Sequence, residues 1–474
     1  MVRPQVSVII PAHDRTAALR NCLSSLEGQT LARDAFEVVI VDDGSVPPIA
    51  GDIGEFVDGG HTRLLRHDQA RGAGAARNTG AAAAVGELLV FLDADCLCHP
   101  ELLRAHLDAQ ADGPVAVCGF GGGRELTPSS WRLKFGPDWD FGDITGVFER
   151  FARTPLLHDP LTELLACPRR TDWAFFWTLN AAVPKSSFDL AGGFNLDFEV
   201  KGNEDMELGY RLARAGLATV FAPEAITIHQ PHDRDRNVEV KRDRRNELIL
   251  VREYPNVEVE AVCSYDIVRS RDLVPAIERF AASLVAETAD CANLGELPEL
   301  GGRLATCRGS VLLAGSPAGW PAWLPPPDAV CYPSEVACDG LTRHLRLIGT
   351  RLPTDDKQFE VGVITDYWRH FPDGTFSRIL AEMCRTCREV LVLAGVSTAP
   401  VAAPDRELSE ALAAHDHPYW EFTTPVRREL HQFDLTELAS DGVGRSVFRC
   451  APIPWPTTEL TELRTTAAWE VAAR

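Results

Sequence analysis

Short apolar runs alternate with segments of helical periodicity along the first half of the chain. Val6–Ile10 has the pattern of a buried strand and ends at Pro11. Apolar residues then recur at helical spacing between positions 19 and 26. Because Asp14 precedes this segment, we expect it to cap the N-terminus of the helix.

The same alternation continues to about residue 95. Strand patterns occur at Phe36–Val41, Arg63–Arg66 and Val90–Leu92, and a glycine-rich helix start, Arg71–Asn78, precedes the last of them. Alternating strands and helices predict an α/β fold with a mostly parallel sheet and helices on both faces. Ligands of such sheets bind beyond the carboxyl ends of the strands.

Polar clusters follow three of these strands: Pro11–Asp14, Asp42–Asp43 and Asp93–Asp95. The D-x-D of the third cluster offers two hard oxygen ligands, which Mg²⁺ or Mn²⁺ requires when it holds a diphosphate. Alone, that tripeptide has low specificity, and Asp42–Asp43 also fits a simple turn closed by Gly44. Three clusters that converge on one edge of a sheet are much more specific.

Strand-end clusters of polar residues and other recognisable motifs stop near residue 251. A chain of 474 residues is also too long for a single hydrophobic core. We therefore expect two domains, 1–250 and 251–474. Strand and helix patterns alternate again in the second, at 310–313, 359–365, 376–384 and 390–394. They predict a further α/β unit.

Three features of the second half have an ordinary structural interpretation. Cys384–Cys387 is a lone C-x-x-C expected within a helix, and free core thiols explain it better than a zinc site, which needs four ligands. Asp366–His370 follows a strand and fits a capped loop better than a pocket wall. The tail, 457–474, has the pattern of an exposed helix.

Composition and charge narrow the functional classes. The net charge of −21 argues against binding to nucleic acid or to an anionic membrane, since both need a basic face. No apolar run reaches the roughly 18 residues of a membrane span. The N-terminus enters a strand at once, which leaves no room for a signal peptide, and 13 cysteines show no disulfide framework. We expect a soluble, cytoplasmic protein.

Six segments together carry a family resemblance: Val6–Pro11, Val41–Ser45, Gly74–Gly80, Phe91–Asp95, Gly192–Phe194 and Gly202–Leu208. In this order and at this spacing they resemble the family 2 glycosyltransferases, which have the GT-A nucleotide-sugar fold. The resemblance covers about residues 5–250. It implies a nucleoside-diphosphate sugar as donor and Mn²⁺ or Mg²⁺ as cofactor.

The resemblance also implies roles for the polar clusters. Asp95 would be the metal ligand, and Asp93 would reach the ribose or share the ion. Asp43 would contact the nucleobase, beside a wall formed by the backbone of Pro11–His13. Arg77 has two interpretations: a solvated helix face, or a diphosphate contact beside a helix N-terminus opened by glycine, which favours anions.

A second acidic pair, Glu204–Asp205, opens a predicted helix whose inward face includes Ala215 and which stops at Gly216. Acidic residues in a first turn also fit ordinary pairing with the helix dipole. Inverting sugar transfer needs a carboxylate to accept the proton of the acceptor. In the family's pattern the aspartate is this base, so Asp205 is our candidate, with Glu204 orienting hydroxyls.

His229 follows a short strand and resembles the histidine that completes the metal site in some family members. A packing role is equally compatible, and His232 is the alternative ligand. Since imidazole suits Mn²⁺ better than Mg²⁺, its involvement would favour manganese. The segment Gln230–Asp235 lacks the tryptophan of the Q-x-x-R-W sequence found in processive synthases. We therefore expect non-processive transfer.

Two other functions remain as alternatives. A nucleotidyltransferase also uses paired acids, but it needs a glycine-rich basic loop after the first strand, where Pro11–Asp14 stands. A non-catalytic nucleotide-sugar binding module is the second. The acceptor, whether glycan, lipid, peptide or small molecule, leaves no signature, and the second domain could serve acceptor recognition or homo-oligomerisation.

Overall fold

A computed structural model of the chain describes residues 3–57, 60–123, 136, 139–154, 161, 164–198, 202–233, 236–284, 298–307, 309–317, 320–335, 342–371, 373–394, 408, 410–412, 433–440 and 446–452. Internal contacts divide the chain into two compact units, Met1–Glu247 and Leu248–Arg474. None of the helices in these ranges combines the length and the apolar character needed to cross a membrane.

The first unit contains an eight-stranded sheet with the order β3-β2-β1-β4-β7-β6-β8-β5. Its strands are β1 (Val6–Ala12), β2 (Phe36–Asp43), β3 (Thr62–His67), β4 (Leu88–Leu92), β5 (Cys96–Cys98), β6 (Ala116–Gly122), β7 (Asn180–Pro184) and β8 (Thr219–His229). The helices of this part are α1 (Thr16–Glu27), α2 (Ala73–Ala83), α3 (Leu102–Asp108), α4 (Ile144–Ala152), α5 (Lys185–Ala191), α6 (Glu204–Arg214) and α7 (Arg236–Glu253).

Parallel pairing brings the polar strand ends together. β1 pairs in parallel with β2 on one side and β4 on the other, so that Ala12 lies beside Asp42. The cores of these strands are fully buried, as expected for parallel strands packed against helices. Helix α2 lies against β1 at Gly80, where a Cβ atom would come within 2.5 Å of Ile9 Cγ2. The predicted mostly parallel α/β fold is confirmed.

Two local predictions in this unit are wrong. Asp14 does not cap α1: the N-cap is Arg15, and Asp14 instead accepts a hydrogen bond from the backbone N–H of Val46 at 2.9 Å. Ala215 does not face inward; it is exposed and lies one residue past the end of α6. The predicted stop is confirmed, since Gly216 has a φ of 90°.

The second unit contains a seven-stranded sheet with the order β11-β10-β9-β12-β13-β15-β14. Its strands are β9 (Val311–Ala314), β10 (Ala329–Cys331), β11 (Arg343–Leu345), β12 (Phe359–Ile364), β13 (Cys387–Ala394), β14 (Phe433–Ser440) and β15 (Ser446–Pro452). Its helices are α8 (Val257–Leu284), α9 (Pro298–Thr306) and α10 (Asp373–Thr386). The first five strands are parallel in the order of a doubly wound fold, and β15 is antiparallel to both of its neighbours. The predicted second α/β region is thus present.

The ordinary interpretations of this unit hold with one correction. Residues 366–370 form a 3-10 helix capped by Thr365, and Tyr367 is buried with its ring 5.5 Å from that of Tyr332. The pair Cys384–Cys387 does not lie in one helix, because Cys387 is the first residue of β13. Both are buried free thiols, as predicted. The tail, 457–474, lies outside the described residues.

Candidate active site

The carboxyl ends of β1, β2 and β4 enclose a cavity of about 630 Å³. This volume is ordinary for a small-molecule or cofactor site. The cavity is lined by Pro11, Ala12, His13, Arg15, Asp43, Ala70, Arg71, Gly72, Ala73, Asp93, Ala94 and Asp95. The three polar clusters singled out in the sequence therefore meet at one site.

Asp43 is held rigidly at the cavity wall. Its carboxylate accepts hydrogen bonds from the backbone N–H groups of Arg71 at 2.9 Å and Gly72 at 2.8 Å. The Nδ1 of His67, at the end of β3, lies 2.7 Å from the same carboxylate. A carboxylate has about four acceptor positions, so these three contacts fix the group and leave room for one more donor.

Asp42, next to it, has a different role. It accepts hydrogen bonds from the backbone N–H groups of Ser45 at 2.9 Å and Ile49 at 3.3 Å, and Arg66 pairs with it. Burial opposes ionisation, but the bonds from Ser45 and Arg66 prevail and lower the pKa of Asp42. The turn interpretation thus applies to Asp42, whereas Asp43 faces the cavity.

The loop after β1 forms the opposite part of the wall. Pro11 and His13 both line the cavity, as expected from the sequence. The Nδ1 of His13 lies 2.8 Å from the backbone oxygen of Asp43, and 51% of the His13 side chain is exposed. The contact fixes the ring against β2 while one edge stays open to a ligand.

Arg77 lies in the interior of the site. It is 1% exposed, which rules out a solvated helix face. Its Nη2 donates to Asp93 Oδ1 at 2.8 Å and its Nη1 to Glu204 Oε1 at 3.0 Å. Burial alone would lower the pKa of Arg77, but Asp93 and Glu204 raise it. The guanidinium therefore holds two carboxylates instead of presenting an open cation to a diphosphate.

Glu204 and Asp205 begin helix α6, as predicted. Asn203 before them has a left-handed backbone with φ 64°, and Glu204 Oε2 accepts a hydrogen bond from the N–H of Gly202 at 2.6 Å. Together with the bond to Arg77, this leaves Glu204 buried and fixed in position. Asp93 and Glu204 thus share one cation although they are far apart in the sequence of the first unit.

Asp205 differs from its neighbour in its ionisation. Its oxygens accept from the backbone N–H groups of Met206 at 2.8 Å and Thr178 at 3.4 Å. Burial and the adjacent Glu204 raise the pKa of Asp205 to about 6, although Arg77 opposes the shift. A carboxylate with this pKa is ionised at neutral pH and still basic enough to accept a proton.

A second group of side chains meets at Asp95. His229 Nε2 lies 3.3 Å from Asp95 Oδ1, and His232 Nδ1 lies 3.3 Å from Asp95 Oδ2. Within the described residues this is the cluster whose ligand atoms lie close enough together for one metal ion. One carboxylate and two imidazoles are a donor set that suits Mn²⁺.

The composition of this cluster differs in two ways from the ligand set expected from the sequence. Asp93 does not belong to it among the described residues, since its Oδ1 faces Arg77. His229 and His232 are both present, where the sequence suggested one as the alternative to the other. In addition, Arg15 pairs with Asp95 Oδ2, so a cation of the protein already occupies part of the site.

Three contributors were missed in the sequence. His67 is the last residue of β3 and lies beside Asp43 in the parallel pairing of β2 with β3. Its position directly after the strand pattern was a signal that could have identified it. Arg15 stands immediately after the polar loop of β1, and Thr178 supplies only its backbone. Several tryptophans lie in the sequence between Asp95 and Glu204. Trp173 is buried and its ring centroid lies 5.0 Å from that of Tyr210, whereas Trp131 lies outside the described residues.

Comparisons with known proteins show similarity to glycosyltransferases. The chain is 33% identical over 269 residues to the validoxylamine A glucosyltransferase of Streptomyces hygroscopicus subsp. jinggangensis, covering 54% of this chain and 62% of the relative. It is 30% identical over 232 residues to the pre-mycofactocin glycosyltransferase of Mycobacterium tuberculosis, covering 47% and 42%. The chain thus spans between two fifths and three fifths of the length of these relatives.

A solved mannosyltransferase from Pyrobaculum calidifontis, in complex with GDP-Man and Mn²⁺, has a TM-score of 0.40 and 20% identity, covering 65% of this chain and 82% of that chain. The model of the family described as glycosyl transferase family 2 matches residues 7–161 and does not extend into the second unit. Over residues 7–161, the chain is therefore similar to glycosyl transferase family 2.

Proposed function

We propose that the chain transfers a sugar from a nucleoside-diphosphate sugar to an acceptor hydroxyl or other nucleophile, with inversion, with the help of a divalent metal ion and without processivity. One observation carries this proposal. Arg77 joins Asp93, on the cavity that would hold the donor, to Glu204, at the start of the helix that carries Asp205. This contact supports a single site that contains both the donor pocket and the candidate base, Asp205.

The nucleotide half of the donor would lie against the loops after β1 and β2. Asp43 retains one acceptor position for a base N–H, and the walls at Pro11 and His13 flank that position. Asp93, which also lines the cavity, would reach the ribose. The hydrogen bonds to Asp43 and Asp93 hold both carboxylates in position before the donor binds.

A divalent ion would be held by Asp95, His229 and His232, whose ligand atoms all lie within 4.8 Å of one another. When bound, such an ion neutralises the charge that develops on a departing diphosphate. We propose Mn²⁺ over Mg²⁺, because two of the three ligands are imidazoles. Arg15 would leave Asp95 and turn its guanidinium to the diphosphate.

Asp205 would act as the general base. As the acceptor oxygen attacks the anomeric carbon, its proton passes to an Asp205 oxygen, and the bond from that carbon to the diphosphate oxygen breaks on the opposite face. The backbone N–H groups of Met206 and Thr178 orient the carboxylate. Glu204 would orient hydroxyls of donor or acceptor, and Arg77 holds Glu204 in position.

Further parts of the proposal concern the whole chain. Non-processive transfer rests on the missing tryptophan in Gln230–Asp235. We propose that the region from residue 251 recognises the acceptor or forms a homo-oligomer, and that the protein acts in the cytoplasm. The acceptor could be a glycan, a lipid, a peptide or a small molecule.

A panel of nucleoside-diphosphate sugars tests the proposal. Each donor is incubated with the protein and Mn²⁺ or Mg²⁺, and released nucleoside diphosphate is measured. Glucose donors come first, because one relative is named as a glucosyltransferase. We expect slow hydrolysis of one donor, abolished by a chelator and by Asp95→Ala. If no donor binds or turns over with any metal, the non-catalytic binding module becomes the better account.

A further inference from the structure

Two cysteine thiols of the second unit lie opposite each other without being joined. The Sγ atoms of Cys384 and Cys450 are 3.8 Å apart. Cys384 lies in the last turn of α10, and Cys450 is on β15, where it pairs with Val390 of β13. Both are free thiols, 9% and 6% exposed. The contact therefore joins a helix end to a strand that is remote in sequence.

The surroundings of Cys384 favour its thiolate. An adjoining cavity of about 300 Å³ is lined by the three cysteines, by Lys357 and by Arg388, Glu389, Val390 and Arg449. Arg449 pairs with Glu389 and Arg388 with Glu360, so Lys357 is the cation that acts on Cys384. The ammonium of Lys357 donates to the backbone oxygens of Cys384 and, at 2.9 Å, of Cys387. Thiolates are stabilised next to such cations, and an open cavity gives a small oxidant access to the sulfur.

The three thiols around this cavity are not equivalent. The hydrogen bond with Cys450 and the charge of Lys357 lower the pKa of Cys384, although burial opposes the shift. Burial raises the pKa of Cys387 to about 12, and this residue is fully buried. These pKa shifts favour Cys384 over Cys387 as the nucleophilic sulfur, and Cys450 is the thiol next to it.

We infer that Cys384 and Cys450 are a peroxide-sensitive thiol pair that closes to a disulfide, with Cys384 attacking and Cys450 resolving. This modification site is independent of the proposed sugar transfer. The Cys384 thiolate attacks one oxygen of hydrogen peroxide, the O–O bond breaks, hydroxide leaves, and the sulfur becomes a sulfenic acid. The Cys450 sulfur then displaces the sulfenic oxygen, which leaves as water, and the S–S bond forms.

The geometry allows this closure with small movements. A disulfide has an S–S distance of about 2.05 Å, so the two sulfurs must approach by somewhat less than 2 Å. The cavity beside the two side chains provides free space for the rotation that would bring the sulfurs together. The bond would fix the end of α10 to β15 within the second unit.

Peptide mapping of the full-length chain tests the inference without any substitution. The reduced protein is treated with increasing hydrogen peroxide, and remaining thiols are alkylated before non-reducing digestion and mass spectrometry. We expect a Cys384–Cys450 peptide pair to form first and to disappear with dithiothreitol. We also expect Cys384 to react with iodoacetamide at least about tenfold faster than Cys387. Pairing of Cys384 with another cysteine, or equal reactivity of the two, would overturn the inference.

Three variants assign the roles. Cys450→Ser should stop at a sulfenic acid on Cys384, which dimedone traps. Cys384→Ser should leave Cys450 unmodified at the same dose of peroxide. Cys387→Ser is the matched control and should form the disulfide as the wild type does. Trapping of a sulfenic acid on Cys450 in Cys384→Ser would contradict the assigned order.

Discussion

Arg77 Nη2 lies 2.8 Å from Asp93 Oδ1, and this ion pair is almost completely buried. The other nitrogen of the same guanidinium reaches Glu204 at 3.0 Å. The side chain of Arg77 thus connects Asp93 of the D-x-D with Glu204 at the start of α6. The bridge places a candidate base next to a donor pocket, although their residues are far apart in sequence.

Removing the Arg77 side chain should destabilise the folded protein. Arg77→Met leaves two buried carboxylates without their shared cation, so we expect the free energy of unfolding to fall by about 3–5 kcal/mol. Urea denaturation followed by circular dichroism measures the change. Lys185→Met, which removes an ion pair with the exposed side chain of Asp189, is the control and should have little effect. Equal midpoints for the two variants would show that Arg77 does not hold the site together.

The acidic limb of the pH profile should report Asp205. Its pKa is raised to about 6, and only the ionised carboxylate can accept a proton. We therefore expect kcat/KM to fall about tenfold per pH unit below pH 6 and to level off above it. Asp205→Asn should retain donor binding and lose about 10²–10⁴ in transfer rate. Unchanged turnover in this variant would exclude Asp205 as the base.

The same shift makes a stability prediction with the opposite sign. Because the pKa of Asp205 is raised in the folded state, the folded protein binds more protons than the unfolded one between the two pKa values. Stability from this group is thus present at low pH and is lost as the pH rises through about 6. In a plot of the urea midpoint against pH, Asp205→Asn should therefore reduce the slope below about pH 6. An unaltered slope would argue against the raised pKa of Asp205.

Metal selectivity should depend on the two histidines. We expect Mn²⁺ to support faster donor turnover than Mg²⁺, and His229→Ala or His232→Ala to weaken Mn²⁺ binding by at least about tenfold. His99→Ala is the control, since its ring packs against Phe148 at 5.2 Å and is not in the cluster. Titrations followed by Mn²⁺ electron paramagnetic resonance measure the dissociation constants. If Mn²⁺ binds the variants and the control alike, the ion lies elsewhere.

Arg15 competes with a metal ion for Asp95. Its guanidinium pairs with Asp95 Oδ2, the oxygen that also faces His232. Arg15→Ala should therefore lower the dissociation constant of Mn²⁺ without nucleotide by about 3- to 10-fold. Arg20→Ala, within helix α1, removes a pair with Glu55 and should leave the constant unchanged. A weaker Mn²⁺ affinity in Arg15→Ala would mean that the arginine supports the metal site.

The strand ends and the helix start were predictable because they depend on local signals. Apolar runs set β1, β2 and β4, and parallel pairing then requires Asp43 and Asp93 to meet at one edge. The acidic pair at the start of α6 was readable from residues within one turn. These parts of the site follow from hydrophobic periodicity and from the direction of the chain.

The remaining contacts could not be derived in this way. Periodicity tells which face of α2 is buried, but it does not tell that the partners of Arg77 are 16 and 127 residues away. Asp14 fitted an N-cap by spacing alone, yet the bend of its loop turns the carboxylate to Val46. Asp95, His229 and His232 meet only because β5 pairs with β8. Such contacts depend on tertiary structure.

The most direct test of the account is the coupled binding of Mn²⁺ and a nucleoside diphosphate. UDP, GDP, ADP, CDP and dTDP are titrated one by one by calorimetry into wild-type protein and Asp95→Ala, with and without Mn²⁺. We predict that one nucleotide binds the wild type, that Mn²⁺ tightens its binding, and that Asp95→Ala abolishes the gain. Binding of no nucleotide, or an equal gain in Asp95→Ala, would contradict the assignment of this cavity and its metal cluster.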